Sequence, residues 1–453
     1  MKALHSKRTV LPDGIKEAVV LVSDGKIIDV VNELPGIHTY EVIELGNKLL
    51  MPGVIDPHVH INDPGRAAWE GFETATKAAI AGGVTMLVDM PLNSSPVTTT
   101  VKALHQKIAA SKNKLHTNVG LWGGVIPGND HEIEGLIKAG VLGFKAFLTH
   151  SGIDEFPNAT EEDLRKAMPI IAKYNLPLLV HCELTDAKRE RNNEQQETSN
   201  DSYINYLNSR PKYWEDNAVA LMIRLCEEFK CRVHIVHLSS ADSLPQIIAA
   251  KKKGLPITVE TGQHYLYFHA ETIPDGKTAF KCAPPIREKE NNDQLWAALK
   301  EGIIDFVATD HSPATPDLKE IESGNFMKAW GGIASIQFAL PVLWTAAKKR
   351  NCTFSDLTRW LCENPAKLTG QENSKGKIEK GFDADLIVVD DEKTFTVDEA
   401  GCHHKHKVCP YMGEILSGVV EQTYLGGEKV FDNGNFVPDK KGKIMLTKQT
   451  NTG

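Results

Sequence analysis

Between residues 51 and 311 the chain alternates short, nearly unbroken apolar runs with helix-patterned stretches, and this alternation restricts its fold more than any other feature. The runs occupy 51–60, 84–90, 118–125, 143–148, 176–183, 232–239, 257–262 and 304–311. Helical patterns fill most of the intervals, at 72–81, 97–110, 161–174, 217–228, 243–252 and 293–300. A strand that is apolar on both faces must be covered on both, and parallel strands crossed over by helices achieve this. Eight such units over roughly 300 residues predict an α/β fold, a closed (β/α)8 TIM barrel. In that architecture the groups that do chemistry sit at the carboxyl ends of the strands.

The two chain ends have a different texture. Residues 18–22 and 27–31 are β-branched runs separated by a turn containing Asp24-Gly25, a strong hairpin signal because glycine accepts the positive φ of a tight turn. Similar runs return at 384–389, 419–424 and 429–431. We therefore expect residues 1–51 and 372–453 to build one small β-sandwich domain together, with 52–371 forming the barrel. The polar tail 440–453 is expected to be loosely held.

Charge and cysteine usage narrow the function classes. Lys plus Arg number 51 against 59 Asp plus Glu, a formal charge of −8, so the chain lacks the basic excess that neutralises phosphates. Nucleic acid is therefore not an expected partner, nor is an anionic membrane surface. No run reaches about 18 consecutive apolar residues, and the N-terminal stretch mixes charges among its apolar residues, unlike a secretion signal. The 8 cysteines follow no framework of spacings and read as reduced thiols, so the expected setting is the cytoplasm.

The ligand-type residues fall where a barrel would use them. The first run ends in Asp56-Pro57-His58-Val59-His60, and side chains two apart on a strand share a face. A single His-x-His is weak evidence by itself. The fifth run, however, carries His181, the sixth His237, and the eighth Asp310 beside His311. Four strands thus close with His or Asp at their carboxyl ends, which points to metal.

The fourth run adds a cation, Lys145, inside the apolar Gly143-Phe144-Lys145-Ala146-Phe147. A buried lysine is expensive unless neutralised or paired. Its neutral amine can add carbon dioxide to become a carbamate, whose two oxygens can bridge two divalent ions. The expected centre places His58, His60, Asp310 and the carbamate on one ion, and His181, His237 and the carbamate on the other. Nitrogen and oxygen donors suit Zn, Fe, Co, Mn or Ni; zinc leads the expectation, although the donors alone do not choose. Two such ions would share a hydroxide that attacks a carbonyl, while Asp310 moves the proton to a leaving nitrogen. Lys145 and Asp310 are accordingly the expected catalytic residues.

These motifs, together with Thr309-Asp310-His311-Ser312-Pro313, resemble the amidohydrolase superfamily and, within it, the cyclic amidohydrolases. Three further stretches resemble its allantoinase branch. They are Asp63-Pro64-Gly65-Arg66 with Trp69-Glu70-Gly71-Phe72, leading to Asp89-Met90-Pro91-Leu92-Asn93-Ser94; residues 150–157 after the lysine; and Ala329-Trp330-Gly331-Gly332-Ile333. The resemblance implies hydrolysis of the hydantoin ring of allantoin to allantoate, a step in urate breakdown, and a homo-oligomer, commonly a tetramer. Dihydroorotases typically carry Arg where this chain has Asn62, and hydantoinases a Tyr where 146–157 has none. A hydantoinase or dihydropyrimidinase acting on another cyclic ureide is the alternative activity, and a non-catalytic scaffold the alternative class.

By position within the resemblance, Asn93, Ser151, the backbone around Cys282 and Gly332 are the expected substrate contacts. His234 and His311 are expected to support the site or fill the core rather than bind metal. The tract Cys402-His403-His404-Lys405-His406-Lys407-Val408-Cys409 matches no zinc-finger spacing and is expected to be a solvated loop.

Overall fold

Val54–Val59, the first barrel strand, is buried at every position, as are Val84–Asp89 and Phe144–Phe147, so both faces of these strands are covered. The structure is a computed structural model and describes residues 1–34, 41–185, 199–439 and 441–447. Pairing is parallel throughout the barrel: Val54–Val59 joins Val84–Asp89, which joins Asn118–Leu121. After a break at Trp122, Gly123–Gly124 pairs with Phe144–Phe147. Pro177–His181, Arg232–Ile235, Ile257–Gly262 and Phe306–Ala308 follow in order. A parallel bridge between Val59 and His311, with the His60 N–H donating to the His311 carbonyl at 2.7 Å, closes the ring.

The helices start where side chains can satisfy their free N–H groups. Thr160 accepts from the Asp163 N–H while the Asp163 carboxylate accepts from the Thr160 N–H, a capping box that begins Glu161–Lys173. The helix expected from 97 begins later, at Val101–Ala110, because the Thr100 hydroxyl accepts from Ala103. Asp130–Ala139 and Ala339–Lys348 complete the outer layer and were not anticipated. The former buries Ile133, Leu136 and Ile137 but carries Gly135 mid-helix, which weakens its local signal.

The terminal segments do combine into one sheet of eight strands. Its order runs Asn435–Phe436, Glu428–Asp432, Ile415–Leu425, Leu386–Thr396, Glu41–Pro52, Lys2–Leu11, Gly14–Ser23 and Lys26–Val31. The halves meet where Leu386 pairs antiparallel with Pro52. Bulges between Ser6 and Thr9 and between Asp390 and Thr394 bend the long strands, and Leu4, Val20, Leu50, Leu386 and Tyr424 pack in one of its cores. Asp24 and Gly25, at φ 51° and 78°, make the expected tight hairpin.

One expectation is corrected. The tail is not wholly loose: Ile444–Met445 pairs in parallel with Asn118–Leu121, and the Val119 N–H donates to the Lys443 carbonyl at 2.9 Å. The break at Trp122 leaves the lower half of that strand without a barrel neighbour on one side, and two apolar tail residues fill the position. Residues 440 and 448–453 of the tail lie outside the described residues.

Candidate active site

The six expected ligand residues converge at the carboxyl ends of the strands and are all buried. His58 leaves the first strand with its Nδ1 hydrogen-bonded to Glu260 of the seventh. The other ring nitrogen of His58, Nε2, lies 3.1 Å from Asp310 Oδ1. His60 Nε2 lies 3.4 Å from the same oxygen. On the other side, His181 donates from Nε2 to Glu183 at 2.7 Å, so its lone pair sits at Nδ1, 3.0 Å from His237 Nε2. Ligand atoms of His58, His237 and Asp310 all fall within 4.8 Å of one another.

These nitrogens and the Asp310 oxygen are ligand-type atoms gathered at one point, an arrangement that suits a cation. Lys145 Nζ is fully buried, has no hydrogen-bond partner among the described residues and lies 5.0 Å from the Phe147 ring centroid. Burial pushes this amine down to about 8. Burial likewise lowers His60 to about 4, and pushes His181 and His237 down, so their imidazoles are neutral at physiological pH. For Asp310 burial acts upward, but His58 and His60 outweigh it and hold the carboxylate below its usual range. Neutral imidazoles and an ionised carboxylate are the protonation states that divalent metal binding requires, and the lowered Lys145 gives up its proton more readily than an ordinary lysine. These residues fit such a centre.

Backbone conformation contributes to the convergence. His237 and Asp310 both take positive φ, 39° and 47°, where non-glycine residues are uncommon and costly. Both positions lie just past the ends of their strands, where the chain turns the side chain inward.

Sequence reasoning missed the outer partners of these imidazoles. Glu260 binds both His58 and His234, whose Nδ1 meets Thr258 at 2.8 Å, and it is held at about 2 by those imidazoles against the effect of burial. Glu183 bonds Arg210 as well as His181. Asp56 takes the Thr309 hydroxyl, next to Asp310. Each is a carboxylate within or beside an apolar strand, the same signal that singled out Lys145 and one that could have found them. His234 and His311 stay out of the converging set: His311 Nδ1 accepts the Ser335 N–H at 2.9 Å.

A cavity of about 420 Å³ opens onto these groups. Asn93 and Ser151 line it, whereas Ala283 and Gly331 line it in place of their neighbours Cys282 and Gly332. The Asn93 amide lies 3.2 Å from His60 Nδ1, so it also orients a ligand-type residue. The Ser151 hydroxyl donates to the Phe156 carbonyl at 2.6 Å. The Cys282 carbonyl accepts the Tyr206 hydroxyl at 2.6 Å, and Gly332 spends its N–H on Lys281 and its carbonyl on Lys319. Asn62 donates to the Pro313 carbonyl at 3.2 Å.

The tract 402–409 also departs from expectation. Cys402, His404 and Cys409 are buried, and Lys405 donates from its backbone to Glu70 and from its side chain to the Glu70 carbonyl. His406 reaches the Ala68 carbonyl at 2.8 Å. The segment is thus packed against the loop after the first strand, and contacts with that loop replace the water expected around it.

Sequence comparison agrees with this geometry. The model of the amidohydrolase family matches residues 49–430. An allantoinase of Streptomyces avermitilis is 46% identical over 98% of both chains, and one of Arabidopsis thaliana is 45% identical over 98% of this chain and 90% of its own. Among solved structures, an L-hydantoinase (dihydropyrimidinase) from Arthrobacter aurescens superposes with a TM-score of 0.93 at 29% identity, over 99% of this chain and 100% of that one. The chain belongs to the amidohydrolase family and, within it, to the allantoinases.

Proposed function

We infer that the chain is a hydrolase that opens the cyclic amide of allantoin to give allantoate. The observation that carries this is the convergence of four histidines and Asp310 on one cavity, beside a buried lysine with no hydrogen-bond partner among the described residues, in a chain related over almost its full length to allantoinases. We propose that His58, His60, Asp310 and a carbamate on Lys145 would hold one divalent ion, and His181, His237 and the same carbamate a second, with zinc favoured over Fe, Co, Mn or Ni. When bound, such a pair makes hydroxide available at neutral pH and polarises a carbonyl.

The protein's own groups supply the rest. The ionised Asp310 carboxylate takes a proton from the attacking water and returns it to the ring nitrogen as the carbon–nitrogen bond breaks. A carbon–oxygen bond forms, and the products of the split are a carboxylate and an N–H on one open chain. Glu260 and Glu183 hold the tautomers of His58 and His181. Neutral cavity groups, Asn93 and the backbone near Ala283 and Gly331, suit an uncharged ring with a polar ureido tail. Ser151 belongs to the same proposed contact set, while Cys282 and Gly332, whose main-chain groups bond Tyr206, Lys281 and Lys319, back the wall that Ala283 and Gly331 present.

Three finer readings accompany this one. We propose a homotetramer, to be checked by light scattering in solution, and a β domain of 1–51 with 372–453 around a 52–371 barrel. The cytoplasm is the proposed setting, testable by fractionation. Among the described residues no helix is long and apolar enough to cross a membrane.

Assaying metal-replete protein on allantoin, hydantoin, dihydrouracil and dihydroorotate side by side tests the activity. Preference for allantoin is the expected result. Preference for hydantoin or dihydrouracil would replace the substrate, and no turnover with metal bound would leave a scaffold.

A further inference from the structure

Lys319 stands apart from the converging cluster, and its side chain is buried, at 3% exposure. Its three donors meet three main-chain carbonyls: Lys281 at 3.0 Å, Trp330 at 2.9 Å and Gly332 at 2.8 Å. An ammonium has three hydrogens to place, and burying it without acceptors is prohibitive. Among the described residues no carboxylate pairs with it, and burial works against the charged form while the three carbonyl dipoles work for it. The carbonyls therefore provide the compensation for keeping its charge inside the protein.

The two segments that it joins form one wall of the cavity. Lys281 and Ala283 contribute from one segment, and Ala329, Trp330 and Gly331 from the other. The Gly332 N–H adds a direct stitch to the Lys281 carbonyl at 2.9 Å. Gly332 is pressed so close to Ser312 that a Cβ there would stand 2.3 Å from the Ser312 carbonyl oxygen. Trp330, in turn, meets Trp69 edge-on with ring centroids 4.9 Å apart.

We propose that Lys319 is a positioning residue for substrate binding: its ammonium ties the 281–283 and 329–332 segments into a wall of fixed shape in the cavity that the histidines also line. It acts through Ala283, Trp330 and Gly331 and touches no reacting atom. The proposal rests on the reading of this cavity as the allantoin site.

The test uses Lys319→Met in the metal-loaded enzyme, with Lys319→Gln, which keeps two donors on a shorter arm, as the milder variant. KM for allantoin should rise about tenfold or more in K319M while kcat stays within about threefold, since uniform binding is what a misplaced wall loses. Divalent metal content should not change. Amide exchange should quicken in peptides covering 281–286 and 329–333 and stay slow in the first barrel strand. Lys319→Gln should fall between wild type and K319M, and it carries the same readouts if K319M fails to accumulate as folded protein. An unchanged KM with unchanged exchange would overturn the proposal, as would loss of metal, which would make Lys319 part of the metal centre. If wild type does not turn over allantoin, the substrate reading fails, and the exchange data alone decide whether Lys319 holds the wall.

Discussion

Glu260 and His58 are separated by 202 residues in the chain and are hydrogen-bonded to each other in the middle of the barrel. The carboxylate fixes which imidazole nitrogen carries the proton, and so sets the state of Nε2 beside Asp310. Glu260→Gln keeps the shape and weakens this control. Metal affinity should drop by roughly 10–100-fold with the fold intact, as seen in metal titrations followed alongside circular dichroism. Wild-type affinity would mean that His58 is oriented by something else.

Lys145→Ala removes a fully buried amine. Turnover of allantoin should fall by about 10³-fold or more, because the group proposed to join two ions is gone. Metal analysis should show depletion in the same variant. Normal turnover with full metal content would rule out the two-ion arrangement.

Asp310→Asn should retain the fold and the cavity but lose proton transfer. A decrease in kcat of about 10²–10⁴-fold is expected, with little change in melting temperature. A rate equal to wild type would remove Asp310 from the acid–base role.

Lys107 and Asp89 form a buried ion pair at 2.6 Å beneath the site, and Asp89 also accepts the Ile61 N–H at 2.8 Å, immediately after His60. Lys107→Met leaves the Asp89 carboxylate buried without its cation. Stability should fall by about 3–5 kcal/mol in denaturant titrations, the cost of breaking such a pair from one side. A loss under about 1 kcal/mol would indicate that the carboxylate finds another partner.

Much of the architecture can be read directly from the chain. Val54–Val59 and Phe144–Phe147 are buried at every position because helices or core cover both faces, and in Pro177–His181 every residue but the last is apolar, so that requirement is written into the strands locally. The ligand-type residues were legible for a related reason. Parallel strands all enter the barrel in the same direction, so His58, His60, His181, His237 and Asp310 announce a common end by their place in each run. Lys145 was legible because a cation in an apolar strand needs an explanation wherever it stands. The tract 402–409 was misread because its composition is polar while its burial depends on the loop at 66–71, to which the chain returns more than 300 residues later.

What the sequence by itself determined is the order of the elements, the end of the barrel that carries the chemistry and the identity of the converging groups. Each of these follows from local periodicity and residue type. Only the tertiary structure decided that Glu260 and Glu183 orient the imidazoles, that Lys319 joins two distant segments, that Ala283 and Gly331 rather than their neighbours face the cavity, and that Ile444–Met445 completes a broken strand. Those are hydrogen bonds and contacts between residues far apart in the chain. Their energy depends on distance and angle in three dimensions, and neither leaves a trace in the residues on either side.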